Sequence, residues 1–286
     1  MASSQTLGEL LKRRGLVVAR RRRTHTPPYT TPFSHAQAAN DVWSIDFKGQ
    51  FSLGNGQRCY PLTVTDNYSR YLLCCQGLLE PRHAPVQARL ERLFREHGLP
   101  QFLRSDNGAP FASVTVGGLS QLAIWCIKLG ITPERIAPGK PQQNGRHERM
   151  HRTLKAETVT PPRATLLAQQ RAFDRFLATF NDERPHQALG AGRRPADLYR
   201  PSPRRFPDRL PGIEYDTGLQ VRKVRTAGHI RWHGQEIYLS KTLTGEPVAL
   251  KPIEHDCWQV YFGNVYLGVL DPRRARVKRP DLRNKV

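Results

Sequence analysis

The sequence predicts an α/β core followed by a small all-β domain, and three observations predict it. Three strand-like segments joined by tight turns open the folded part. Strands and amphipathic helices then alternate, giving the order βββ-α-β-α-β-α-α. After Pro201-Ser-Pro203 the texture changes to short strands and turns.

Val42–Phe51 alternates with the period of a strand, Trp43, Ile45 and Phe47 on one face and Val42, Ser44 and Asp46 on the other. Leu53-Gly54-Asn55-Gly56-Gln57 is a hairpin turn, because Asn-Gly tolerates the positive φ that such turns need. Arg58–Thr65 returns, Asp66-Asn67-Tyr68-Ser69 turns again, and Tyr71–Leu79 completes an antiparallel meander. Ala84–His97 sets Val86, Leu90, Leu93, Phe94 and His97 on one helical stripe and stops at Gly98. Gln101–Ser105 is a short strand that delivers Asp106-Asn107-Gly108 to a loop. Leu119–Leu129 is a helix with Leu122, Ala123, Cys126 and Leu129 on one face, and Ile131–Ala137 is a brief strand. Gly139–Lys155 opens as a Pro/Gly/Asn loop and closes as a helix headed by Glu148, and Ala164–Phe180 is the last core helix. Short strands follow at 221–224, 229–232, 235–239, 247–251, 258–262 and 265–269, parted by turns such as His233-Gly234 and Gly263-Asn264, which reads as a small β-barrel.

At 286 residues the chain is long enough for a catalytic core and a smaller domain. A formal charge of +21 and a pI near 10.5 point to a polyanionic partner. The excess is uneven, since residues 1–40 and 272–286 each hold seven basic residues against one acidic. Flexible basic arms of this kind track phosphates. No apolar run reaches the roughly 18 residues of a membrane span and no secretory leader is visible, so a soluble, cytoplasmic protein is expected. The five cysteines (Cys59, Cys74, Cys75, Cys126, Cys257) form no Cys-x-x-Cys and lie mostly in apolar stretches, which predicts buried, reduced thiols.

Three carboxylates stand out by position. Asp46 lies in the first strand on the face away from the aromatic stripe, Asp106 follows the fourth strand, and Glu148 heads the helix after the fifth. Ligands on strand ends and a helix start can meet at the C-terminal edge of an α/β sheet. Hard divalent cations take such oxygen donors, and three carboxylates could hold two ions. On the helix headed by Glu148, Arg152 and Lys155 share its face, while Met150 and Leu154 point the other way. The plain alternative is a solvated helix with i,i+4 ion pairs. Asp66 reads as a turn former, and His147, about 100° around the helix from Glu148, as a substrate or packing contact.

Taken together, Asp41-Val-Trp-Ser-Ile-Asp46-Phe-Lys-Gly, Thr65-Asp-Asn-Tyr-Ser-Arg70, Arg104-Ser-Asp106-Asn-Gly and Asn144-Gly-Arg-His-Glu148-Arg-Met-His-Arg-Thr-Leu-Lys155 occur in the order of the DDE integrase/transposase family, as do Arg184-Pro-His186-Gln-Ala-Leu-Gly and Arg194-Pro-Ala. The chain most resembles insertion-sequence transposases of the IS481 type, over about residues 7–272. The resemblance implies an RNase H-like core, a mixed five-stranded sheet with flanking helices, at 41–200. It implies a catalytic, metal-holding triad of Asp46, Asp106 and Glu148, two Mg²⁺ or Mn²⁺ ions, and nicking and strand transfer on double-stranded DNA by a homo-oligomer. Arg152 and Lys155 fall where relatives touch DNA ends, and Arg149, Asn144 and Lys140 are further candidate DNA contacts. The expected organisation is a residual helix and basic Pro-rich linker (1–40), the core, a linker (201–213), a small β-barrel that assists DNA binding or assembly (214–272) and a basic tail (273–286). Relatives begin with complete helix-turn-helix units, whereas Leu7–Leu16 resembles only the last helix of one. The rival readings are therefore a truncated or idle DNA-binding protein that modulates a full-length transposase, and a nuclease on RNA–DNA hybrids.

Overall fold

The computed structural model describes residues 13–14, 35–112, 118–136, 145–190, 192–254 and 256–278. Every strand among the described residues lies in the unit Thr31–Val286. The helix expected at 7–16 and the linker after it fall almost wholly outside the described residues.

The core is a mixed sheet of β1 (Val42–Phe47), β2 (Phe51–Ser52), β3 (Arg58–Asp66), β4 (Leu72–Leu78), β5 (Phe102–Ser105) and β6 (Thr132–Arg135). The order is β2-β3-β1-β5-β6, with β4 also on β3. β1 and β4 are antiparallel to β3, and β5 and β6 run parallel to β1. The sheet has six strands rather than five because the expected Val42–Phe51 strand breaks at Lys48-Gly49-Gln50. Gly49 takes φ +72°, which turns the chain so that Phe51–Ser52 pairs with the start of β3.

Side chains alternate across the pleat, so the strands sort their residues between two layers. Trp43, Ile45, Leu62, Val64 and Leu103 pack against α1 (His83–His97) and α2 (Gln121–Lys128) through Leu90, Leu93, Phe94, Leu122 and Trp125. Cys59, Leu72 and Cys75, on the other face, pack against α3 (Gly145–Leu154) and α4 (Leu166–Ala178) through Met150, Leu154, Phe173 and Phe176. Local chemistry sets the helix ends. Ser120 and Thr165 accept hydrogen bonds from the backbone N–H groups of Ala123 and Ala168, and Gly98 closes α1 at φ +75°. Asn181, beyond α4, is fully buried and bonds both the N–H and C=O of Leu72, tying the end of the core to β4. α5 (Pro195–Leu198) closes the core with proline at its first turn.

The C-terminal part is all-β. β7 (Gln220–Lys223), β10 (Pro247–Pro252), β11 (Trp258–Phe262), β12 (Val265–Asp271) and β13 (Arg276–Lys278) form an antiparallel sheet in the order β13-β12-β11-β10-β7. The hairpin of β8 (His229–Trp232) and β9 (Gln235–Tyr238) adds Ile230, Trp232 and Ile237 to its core. β13 goes beyond the strands expected from the sequence and lies in the stretch read as basic tail. Its backbone pairs with β12 while Arg276 and Lys278 stay exposed. Leu119, Ala123, Ile124 and Ile127 join the same apolar cluster, so α2 is shared between both layers of structure, and Lys128 on it pairs with Glu246 at 2.8 Å.

Candidate active site

β1 and β5 align Val42 with Phe102, Trp43 with Leu103 and Ser44 with Arg104. Asp46 lies on β1 and faces α3, where His151 approaches it, while Asp106 leaves the end of β5, the strand that runs parallel beside β1. Asp46 is largely covered, its side chain 17% exposed. Asp106 begins the loop, and its Oδ1 accepts the Gly108 N–H at 3.0 Å. Asp106 thus forms a local turn through Oδ1, with the other carboxylate oxygen outside that bond.

α3 carries Glu148 and is docked by an unexpected device. His147, Met150, His151 and Leu154 are buried, at the i, i+3, i+4, i+7 spacing of a core-facing stripe. The two histidines lie with ring centroids 4.7 Å apart, and the Nε2 atoms of both sit 2.7 Å from the Thr63 hydroxyl. Thr63 pairs with Asp46 across the strands, and its Oγ1 also lies 3.2 Å from the Asp46 carbonyl. His147 Nδ1 reaches Thr65 Oγ1 at 3.3 Å. One hydroxyl has one proton, so Thr63 can donate to only one of these acceptors, and at least one histidine must donate its own Nε2–H to Thr63. Burial pushes the His147 imidazole down to about 3 and, with His147 and Lys48 nearby, that of His151 to about 2. Both rings are neutral at pH 7. The 4.0 Å approach of His151 Nδ1 to Asp46 Oδ2 is thus neither an ion pair nor a hydrogen bond. His147 is a packing contact, and the pair seats α3 over the face that bears Asp46.

Glu148, Arg149 and Arg152 on α3, and Lys155 just beyond it, are all exposed. Lys155 begins a wider π-helical turn, Lys155–Val159, so it departs from the straight helical face expected for it. Among the described residues no carboxylate pairs with Arg149, Arg152 or Lys155, and the ion-paired helix is not what forms. Lys140 and Asn144 lie outside the described residues. Arg104, the neighbour of Ser44, is bound by Glu134 on β6 at 2.7 Å. Asp66 is fully buried, with its carboxylate accepting from the Asn40 N–H and from the N–H and hydroxyl of Ser69, which is the turn role read from the sequence. Among the described residues no three His, Cys, Asp or Glu side chains converge as a metal cluster. The donor set offered by Asp46, Asp106 and Glu148 is all carboxylate, which fits a hard divalent cation rather than zinc.

A mixed sheet that carries Asp46 on β1 and leads into Asp106 from β5, with Glu148 on α3, accords with what sequence comparison finds. Two profiles described as "Integrase core domain" match residues 36–141 and 129–192. A third, "IS481 family transposase, C-terminal domain", matches residues 219–278. The chain belongs to the integrase-core family. Asp46 and Asp106 lie in the first integrase-core match and Glu148 in the second, while the all-β part corresponds to the IS481-type domain. Relatives include the "Insertion element IS407 uncharacterized 31.7 kDa protein" of Burkholderia multivorans, 31% identical over 66% of this chain and 66% of its own length. The "Insertion element IS476 uncharacterized 39.2 kDa protein" of Xanthomonas euvesicatoria is 30% identical over 53% of this chain and 42% of its own length. This integrase-core chain thus spans about two thirds of the first relative and under half of the second. Among solved structures, the simian T-cell lymphotropic virus intasome in complex with PP2A regulatory subunit B56 gamma aligns with a TM-score of 0.48 at 17% identity, over 82% of this chain and 81% of that one.

Proposed function

We propose that this chain is a DNA transposase/integrase that nicks DNA and transfers the freed strand, using Asp46, Asp106 and Glu148 to hold a pair of Mg²⁺ or Mn²⁺ ions. The observation that supports the reading is the parallel pairing of β1, which carries Asp46, with β5, which leads into Asp106, together with the seating of α3 on Thr63, the strand partner of Asp46. In this reading the sheet is an RNase H-like core, the all-β part closes as a small barrel that assists DNA binding or assembly, and the protein works in the cytoplasm as a homo-oligomer on double-stranded DNA. No helix among the described residues is long and apolar enough to cross a membrane.

The chain's own groups divide the work. Asp46 is held by the strand ladder and Asp106 by its turn, so two donors stand in place before DNA arrives. His147 and His151, locked on Thr63, fix the helix that presents Glu148. Cations bound by these carboxylates would activate the attacking oxygen and neutralise charge developing on the phosphate. Arg149, Arg152 and Lys155, exposed along the same helix, would lie along the DNA backbone, as would Lys140 and Asn144 before it. The net charge of +21 supports a polyanionic substrate.

The test is purified chain with labelled duplexes of candidate end sequence and Mg²⁺. Asp106→Asn and Glu148→Gln should each lower nicking and joining by about 100-fold or more without changing the melting temperature, the scale of losing a group used only in the transition state. Unchanged activity in either variant, or full activity with the cation chelated, would refute the assignment.

A further inference from the structure

A cavity of about 610 Å³ opens beside α3, between the β3–β4 turn and the segment after α4, away from the carboxylates' own loops. Arg70, Arg149, Arg184 and His186 line it, over a floor that includes Met150 and Phe180. These residues come from three distant parts of the chain. Arg184 is already bound by Glu157, at 2.8 and 3.0 Å, and Asp66 by Ser69 and Asn40. Arg70 and Arg149 have no carboxylate bound to them among the described residues. Burial pulls the Arg70 guanidinium down to about 10, with Asp66, also in the lining, opposing that fall and Arg149 adding to it. Burial, Arg70 and Arg149 likewise lower the His186 imidazole. His186, which lines the cavity, has a buried Nδ1 with no hydrogen-bond partner. Arg70, which donates to the Asn67 carbonyl at 2.6 Å, and Arg149 bring positive charge to the cavity that suits an anion, the ring nitrogen wants a hydrogen-bond partner, and Met150 and Phe180, both buried, form an apolar floor.

We propose that this cavity receives one unpaired nucleotide of a DNA strand, its phosphate against Arg70 and Arg149, its base over Met150 and Phe180, and His186 Nδ1 bonding its polar edge. A pocket of this volume suits a single nucleotide and is too small for a duplex. A base stacked on an apolar or aromatic surface binds without regard to sequence, and the phosphate supplies the charge. Arg149 follows Glu148 directly, so the site would grip a strand beside the point of reaction. The inference rests on the DNA reading above and adds a site for a frayed or overhanging end.

The experiment measures binding of the full chain by fluorescence polarisation, in chelator so that no reaction occurs. Two duplexes are compared, one blunt and one with a short single-stranded 5′ overhang. The overhang should bind tighter by about fivefold or more, the scale of one stacked base. That preference should vanish in Arg70→Gln and in His186→Phe, with circular dichroism and melting unchanged. Arg149→Gln, altering an exposed side chain, is the variant that cannot fail through misfolding and should also lose the preference. Deoxyadenosine monophosphate should compete for the preference where inorganic phosphate at equal concentration does not. Equal binding of both duplexes, or a preference that survives all three substitutions, overturns the nucleotide site while leaving the DNA reading intact. Equal competition by phosphate overturns it in favour of a bare anion site. Failure to bind either duplex overturns the DNA reading and the site with it.

Discussion

Thr63→Val isolates the device that seats α3. Valine keeps the shape of the side chain and the β-branch, so the strand is undisturbed, but it removes the hydroxyl shared by His147 and His151. Thr63 is fully buried, and the two rings are 3% and 5% exposed, so water cannot replace the lost partner. A buried polar group left unpaired costs about 1–3 kcal/mol, and two are orphaned, so the loss should be roughly 2–4 kcal/mol, moderated where His147 retains Thr65. Urea unfolding gives the stability, and hydrogen exchange gives the place, since amides of 147–154 should lose protection before those of β1 and β3. Thr63→Ser keeps the hydroxyl and should recover most of the difference. If the Val variant stays within about 0.5 kcal/mol of the parent, a surface-sized effect, then the histidines are not held by Thr63 and the account of how Glu148 is positioned fails.

Two further outcomes rest on burial and backbone geometry. Burial pushes the thiols of Cys59 and Cys126 up to about 11 and 12 and raises Cys74 and Cys75, whereas Cys257 is half-exposed; a disulfide-exchange reagent at pH 8 should label one thiol quickly, with the four buried ones reacting only on unfolding, and fast labelling of more would contradict the packing. Gly228 takes φ +89° and its carbonyl accepts from the N–H groups of Leu239 and Ser240, so close that a Cβ would sit 2.5 Å from the Ser240 carbonyl carbon. Gly228→Ala should therefore destabilise the all-β part by about 3 kcal/mol or more, read by tryptophan fluorescence of Trp232 and Trp258, while a mild effect would show that the hairpin is not pinned there.

What was legible in the sequence was whatever a local period or turn could carry. The alternation around Asp46 placed it on the face away from Trp43 and Ile45, and the structure puts it there because the pleat admits no other arrangement in a sheet with an apolar layer on one side. The break after Phe47 was written in Gly49, yet a single glycine inside an alternating run does not say whether it bends the strand or ends it. β13 was hidden because Arg276-Val277-Lys278 has one apolar residue and draws its stability from the β12 backbone, which composition does not reveal. The histidine pair had a signal that could have been read. His147 and His151 complete the stripe of Met150 and Leu154, so the buried face was visible in the spacing, but their partner Thr63, 84 and 88 residues away, was not. The cavity was illegible for the same reason, since Arg70, Arg149 and His186 become neighbours only through the fold.

The arrangement of α3 suggests why its inward stripe is not wholly apolar. Apolar residues at 147 and 151 would pack more cheaply, but contacts between hydrocarbon side chains tolerate small slides and rotations along a helix. Hydrogen bonds do not, because they weaken steeply with angle and distance. Two rings converging on one oxygen leave α3 a single seat, since sliding it breaks both 2.7 Å contacts at once. That seat is measured from Thr63, whose strand partner is Asp46, so the helix that carries Glu148 is registered to the strand that carries the first aspartate. The proposed site, with carboxylates from separate elements, needs such a reference, because the phosphoryl transfer proposed for it depends on donors held to within a fraction of an ångström. Stability alone would not distinguish this from ordinary packing. Replacing both histidines with leucine does: the doubly substituted chain should keep or gain stability while losing strand transfer, and a fully active His147→Leu/His151→Leu chain would show that the helix finds its place without them.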